Sequence, residues 1–177
     1  MFGDLHIHMI LDGVYYRAAI DAQKEHPLDG LVRARLSDYQ ARGVCLLRDG
    51  GDAWGVSLRA RELAGEYGID YRSPAFPIYR RGHYGAFIGR GFDTEDEYRA
   101  LLDEAGEKRA DFIKLMISGL IDFDHFGVLT EPGPEPQDIR RMIELAHAAG
   151  FAVMAHANGD RAVMAALQAG VDSIEHG

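Results

Sequence analysis

The chain has 177 residues, enough for one domain with a sizeable core, and its apolar share of 47% and charged share of 27% are those of an ordinary globular protein. Nineteen Lys and Arg against 28 Asp and Glu leave a net charge of −9, which excludes the basic face needed by a nucleic-acid or anionic-membrane partner. No apolar stretch is long enough to span a bilayer, and the single cysteine, Cys45, excludes an internal disulfide. Candidate ligands begin at His6, which leaves no room for a cleaved leader, so the cytoplasm is the expected compartment.

In chain order, the first predicted strand is Phe2–Met9, on which Asp4, His6 and His8 alternate and therefore share one face. A helix over Leu28–Arg42 leads to a strand at Val44–Arg48, where Cys45 reads as a packed core thiol. A helix over Ala53–Tyr67 closes on Gly68, suited to a left-handed cap. The third strand, Asp70–Ile78, is interrupted by Pro74 and Pro77, and a Gly- and Arg-rich loop, Tyr79–Phe92, follows it. The next helix starts at Thr94, with Glu97 at capping-box spacing. Beyond it come a strand at Asp111–Ile117, a long loop at Ser118–Glu135, and a helix at Pro136–Ala149 with Ile139, Met142, Ile143 and Ala146 on one face. A strand at Phe151–Ala157, a helix at Arg161–Gln168 and a strand at Val171–His176 complete the series. Glycine stands at four helix-to-strand joints, Gly43, Gly68, Gly150 and Gly170. The alternation predicts one α/β domain over residues 1–177, built on a parallel sheet covered by helices.

Five ionisable side chains fall inside or at the ends of these apolar runs: His6, His8, Lys114, His156 and His176. Burying so many is costly without a common purpose, and a metal centre built from strand ends supplies one. Imidazoles are good zinc ligands, although a His-x-His pair alone is more often a satisfied pair of buried histidines. Lys114 is open to two readings. It is an ammonium paired with a carboxylate, or its neutral amine has reacted with carbon dioxide to give a carbamate, an anion able to bridge two cations. Beside four strand-end histidines the carbamate is the better account. The remaining histidines read as bland: His147 in the last turn of a helix, His26 before Pro27, and His125 exposed in a loop. Arg80-Arg81 reads as a solvent-exposed pair, with a substrate carboxylate as the alternative occupant.

Taken together, Asp4-Leu5-His6-Ile7-His8, the run Val44–Gly51 (VCLLRDGG), Asp111–Gly119 (DFIKLMISG), His156–Gly159 (HANG) and Gly170–Gly177 (GVDSIEHG) resemble the amidohydrolase superfamily. Their local contexts resemble the branch of imidazolonepropionase-like enzymes and carboxylated-lysine prolidases. The resemblance implies a (β/α)8 TIM-barrel fold, of which the chain carries the first six βα units. It implies a hydrolase of amide bonds in cyclic amides, N-acyl amino acids or dipeptides, acting through a hydroxide bound by two divalent metals, zinc first. His6 and His8 would hold one metal and His156 and His176 the other, with carboxylated Lys114 between them and Asp4 supporting the ligands. Arg81-Gly82-His83-Tyr84-Gly85 is similar to the Gly-His-Gly-like turn of that branch, which makes His83 and Tyr84 candidates for holding substrate or its oxyanion, with His83 in a catalytic role. A lactonase or phosphotriesterase is the alternative chemistry, and an inactive metal-binding fragment the alternative class. The family's last two strands, with their metal-binding Asp, have no counterpart here. A longer protein or a second copy of the chain, hence a homo-oligomer, is expected to supply them.

Overall fold

The computed structural model describes residues 2–177, which fall into two compact units meeting in sequence at Phe76 and Pro77. Both are α/β, and every strand pairing within their sheets is parallel.

The first unit runs β1 (Phe2–Ile7), α1 (Tyr16–Asp21), α2 (Asp29–Ala41), β2 (Val44–Asp49), α3 (Val56–Ala64) and β3 (Asp70–Arg72), with sheet order β1-β2-β3. Val32 and Leu36 of α2 and Val56, Ala60 and Leu63 of α3 are buried, and Leu47 of β2 is fully covered. These apolar side chains fold the helices onto the sheet. Register pairs Ile7 with Asp49 and Leu47 with Tyr71, so the C-terminal ends of β1 and β2 are level.

The second unit runs β4 (Pro77–Arg80), β5 (Arg90–Phe92), α4 (Glu95–Glu107), β6 (Ile113–Met116), α5 (Pro136–Ala148), β7 (Val153–Ala157), α6 (Gly159–Gln168) and β8 (Ser173–His176). Its sheet order is β5-β4-β6-β7-β8. Every residue of β6 and β7 is buried, as in parallel strands covered on both faces. The apolar face expected of α5 is the buried one, with Ile139, Met142, Ile143 and Ala146 all inside. The Tyr98 hydroxyl on α4 donates to the Met142 carbonyl at 3.0 Å and ties the two helices together.

The local signals act as their chemistry requires. All four joint glycines have positive φ, from 64° at Gly68 to 88° at Gly150. Thr94 Oγ1 accepts from Glu97 N–H at 3.2 Å, and Glu97 returns a bond to Asp93 N–H at 2.8 Å, one residue ahead of the cap.

Three expectations need correction. The predicted strand Asp70–Ile78 is two strands, β3 and β4, in different sheets. Pro74 has no N–H to offer a ladder, Ala75 takes φ 67°, and Ser73 Oγ accepts from Ala75 N–H at 3.0 Å, so a side-chain-closed turn breaks the run. The loop Tyr79–Phe92 contains a strand, β5, whose sequence Arg-Gly-Phe is too short to show a period. Cys45 is half-buried and lies 3.4 Å from the Phe2 carbonyl, so it is not a fully packed thiol. The short helix α1 gave no sequence signal. Among the described residues no helix is long and apolar enough to cross a membrane.

Replacing Thr94 by Ala removes the side-chain acceptor at the start of α4. Denaturant unfolding of this variant should show a loss of about 1 kcal/mol; an unchanged midpoint would mean that the cap contributes nothing.

Candidate functional site

In the first unit, His6 and His8 stand two residues apart along the end of β1, their ring centroids 5.5 Å apart. Asp4, on the same face, turns back on its own strand, where Oδ1 accepts from His6 N–H at 3.3 Å. The Nδ1 of His8 lies 3.0 Å from the Gly51 carbonyl oxygen. A carbonyl can only accept, so Nδ1 carries the proton and Nε2 keeps the lone pair.

Beneath these histidines is a buried acidic network that the sequence reading did not single out. Asp49, with no exposed surface, accepts from Met9 N–H at 3.1 Å, from Gly51 N–H at 2.6 Å and from the Tyr71 hydroxyl. Burial pushes its carboxyl up to about 6, against the lowering effect of the Tyr71 bond, while the nearby charge of Asp52 adds to the rise. Asp52 caps the entry to α3, accepting from Trp54, Val56 and Ser57 N–H; burial pushes it up too, despite those bonds. The phenol of Tyr71 is pushed well up by burial and by the Asp49 charge.

In the second unit, Lys114 is fully buried on β6, in register with Pro77 on one side and Met154 on the other. His156, at 3% exposure near the end of β7, points Nε2 at the Gly119 carbonyl oxygen, 3.2 Å away. Asn158 Nδ2 donates to the same oxygen at 2.9 Å and sits 3.1 Å from His156 Nε2. A carbonyl oxygen with two lone pairs can accept from both nitrogens, so His156 carries its proton on Nε2 and its lone pair on Nδ1. Asn158 N–H in turn donates to Ser118 Oγ at 2.7 Å, which fixes the loop after β6 against β7. His176 pairs in register with Ala157, not with His156. Its φ of 78° takes it out of the strand's alternation, and its ring meets that of His156 edge-on at 4.8 Å. A non-glycine residue in that region is uncommon and strained, a feature that gathers at functional sites.

The turn holding His83 and Tyr84 comes to the same place. The Tyr84 ring lies 5.0 Å from the His156 ring. Glu131, from the far end of the loop after β6, accepts from His83 Nδ1 at 3.0 Å, Tyr84 N–H at 2.9 Å and Gly133 N–H at 3.0 Å. Burial pushes the Glu131 carboxyl up, but these three donors outweigh it and hold it below the usual range. The sequence reading missed Glu131 and Asn158. Their long-range partners lie 39 to 48 residues away, and nothing local marks them.

Other candidates resolve as structural groups. Arg80 pairs with Asp138, and Arg81 with Asp93 at 2.7 Å and Glu97 at 2.8 Å, so both guanidinium groups are engaged within the fold. His147 bonds Asp172 at 2.9 Å, and His125 is an exposed partner of Asp122. His26 is exposed. Among the described residues, neither unit gathers three or more His, Cys, Asp or Glu side chains fit to hold a metal. Each holds a pair of imidazoles.

No family model matches the chain, and no curated protein matches it. Solved structures do. The chain is similar to a Xaa-Pro dipeptidase with bound methionine in its active site, at TM-score 0.73 and 20% identity. It is similar to the ochratoxinase of A. niger at TM-score 0.72 and 20% identity. It is also similar to a prolidase complexed with N-methylphosphonate-L-proline, at TM-score 0.69 and 24% identity. The matches cover 98–99% of this chain and 47% of each of those chains, so the chain spans about half the length of the structures it matches. At such identities the likeness is one of fold: the parallel α/β architecture described above is shared with these hydrolases.

The Asp49 carboxyl gives a pH signature. Its folded-state pKa of about 6 lies above its usual 3.8, so the folded state binds the proton more tightly than the unfolded chain. Stability from this group is therefore greatest below pH 4, falls as pH rises toward 6, and is level above that. Relative to Asp49→Asn, the wild-type chain should lose ~3 kcal/mol across that window in denaturant unfolding. Parallel pH profiles for the two proteins would rule this out.

Proposed function

We propose that the chain carries the metal-binding face of a hydrolase of amide bonds, with cyclic amides, N-acyl amino acids or dipeptides as substrates. In this reading the sheets belong to a (β/α)8-type barrel. The observation that supports it most is the arrangement around His156. That ring is locked by Gly119 and Asn158 with its lone pair on Nδ1, the His176 ring lies 4.8 Å away, and a fully buried lysine stands on the neighbouring strand.

The donor set fits divalent cations. His8 and His156 each give one ring nitrogen to a carbonyl and keep a lone pair on the other, the usual condition of a metal-ligating histidine. His6 and His8 would be ligands to one ion, and His156 and His176 to a second. Zinc is the first candidate because imidazole suits it. When bound, such ions supply Lewis acidity toward a carbonyl oxygen and lower the pKa of a water. Lys114 would join as a carbamate. The neutral amine is the form whose nitrogen adds to carbon dioxide, releasing one proton, and Lys114 is fully buried.

The remaining roles belong to the chain itself. Glu131 holds His83 with the proton on Nδ1, so Nε2 is the ring atom offered to substrate, as acceptor when neutral and as donor when protonated. Tyr84, whose backbone is fixed by the same carboxylate and whose ring lies beside His156, would form a wall against which substrate is oriented.

Zinc content and hydrolysis test this reading. His6→Asn, His8→Asn, His156→Asn and His176→Asn should each lose bound zinc. Lys114→Ala should lose it too, with partial recovery in added formate, whereas Lys114→Arg should be no better than Ala. A panel of dipeptides, N-acyl amino acids, cyclic amides, lactones and phosphotriesters then reads the substrate class. Wild-type zinc and activity in Lys114→Arg would show that Lys114 acts as a cation, and full zinc retention in all four histidine variants would end the metal reading.

A further inference from the structure

Of the run Asp49-Gly50-Gly51 at the end of β2, only the Gly51 carbonyl enters the chemistry above, yet each of the three residues meets His8 or the backbone beside it. The Gly51 carbonyl takes the His8 Nδ1–H at 3.0 Å. Gly51 has φ 81°, and a Cβ there would stand 2.9 Å from Phe76 Cα and from Pro74 Cγ, so no other residue fits. Gly50 is different. Its φ lies outside the positive region, so alanine suits its backbone. A Cβ at Gly50 would nevertheless stand 2.4 Å from His8 Cε1 and 2.7 Å from Nε2, and its three nearest heavy atoms all belong to that ring. The imidazole lies against the bare backbone of Gly50. Asp49 closes the arrangement, accepting from Met9 N–H, the residue after His8, and from Gly51 N–H, the residue whose carbonyl holds the ring. The Tyr71 hydroxyl holds the same carboxylate from β3.

We infer that Asp49, Gly50 and Gly51 form a seat that fixes His8 in one tautomer and one orientation, Nδ1 protonated and Nε2 presented to a divalent cation, with Asp49 as the positioning residue. The cation in this inference rests on the reading of His8 as a metal ligand. The seat itself rests only on contacts within the first unit. A free imidazole exchanges its proton between two nitrogens and turns about its side-chain bonds. A backbone carbonyl on one nitrogen and a backbone wall on one face remove both freedoms before any ion arrives, which is how outer groups tune metal affinity.

The test uses the 177-residue chain, with zinc as the probe. Long-range ¹⁵N correlation spectra of the zinc-free protein should show His8 as a single Nδ1–H tautomer. Gly50→Ala and Asp49→Asn should give mixed tautomers and zinc affinity about 10–100-fold weaker. Because Asp49→Asn also disturbs a buried network, Gly50→Ala carries the test if that variant does not fold. A third measurement isolates the contact: Gly50→Ala should lower the melting temperature of the wild-type chain and leave that of a His8→Ala chain unchanged. An unchanged tautomer and unchanged zinc affinity in Gly50→Ala would overturn the seat, as would an equal thermal cost with and without His8. If the tautomer depends on Asp49 and Gly50 but the wild-type chain binds no zinc, the seat is supported and the metal reading fails.

Discussion

Complete burial of β6 and β7 is the constraint on which the rest of the second unit depends. Parallel strands covered on both faces have no wet side on which to carry a polar residue. Lys114 and His156 are nevertheless there, and each must be accommodated at an energetic cost of several kcal/mol for a charged group, or less for a neutral one. For His156 the accommodation is visible: a carbonyl from the loop after β6 accepts from one ring nitrogen and also from the amide of the residue after β7, and two aromatic rings lie alongside. The loop from Ser118 to Glu135 is thereby drawn in at both ends, by Ser118 and Gly119 at one and by Glu131 at the other. Its middle is left outside, with Phe123 and Phe126 fully exposed.

In the first unit the histidine is only half-buried, and the fully buried polar group is the Asp49 carboxylate behind it. His8 donates to the Gly51 carbonyl, and the N–H of Gly51 donates to the buried Asp49 carboxylate, so the positioning of one imidazole is passed inward to Asp49 and Tyr71. Such an arrangement is costly in stability, because Asp49 keeps its charge in a place that raises its pKa, with Asp52 nearby raising it further. A fold maximising stability alone would put an apolar residue there. The fixed orientation inferred for His8 is the compensating property.

The two carboxylates that orient histidines differ in a telling way. Glu131 sits below its usual pKa range because three donors outweigh its burial, so it is charged at neutral pH and stabilises an Nδ1–H on His83 directly. Asp49 is deeper, and its donors are two backbone N–H groups and a phenol rather than the imidazole itself.

Much of this was legible in the sequence, for a physical reason. Strand and helix periods, glycine joints and the Thr94 cap are local properties, written within ten or so residues and decided by backbone sterics and hydrogen-bond supply. Of the five ionisable residues in apolar runs, Lys114 and His156 are buried as expected, whereas His6 and His8 are only half-buried and His176 is exposed at the end of its strand. What tertiary structure alone decided is who touches them. Asp49 and Tyr71 are 22 residues apart, His83 and Glu131 are 48 apart, and His156 and Gly119 are 37 apart, and each pair exists only because separate loops and strand ends converge. The division of Asp70–Ile78 into two strands was likewise a tertiary outcome. The two prolines marked the weakness, but only the Ser73 turn and the left-handed Ala75 sent its halves to different sheets. A sequence displays which side chains are costly to bury; the partners that meet that cost come from elsewhere in the chain, and only the folded structure names them.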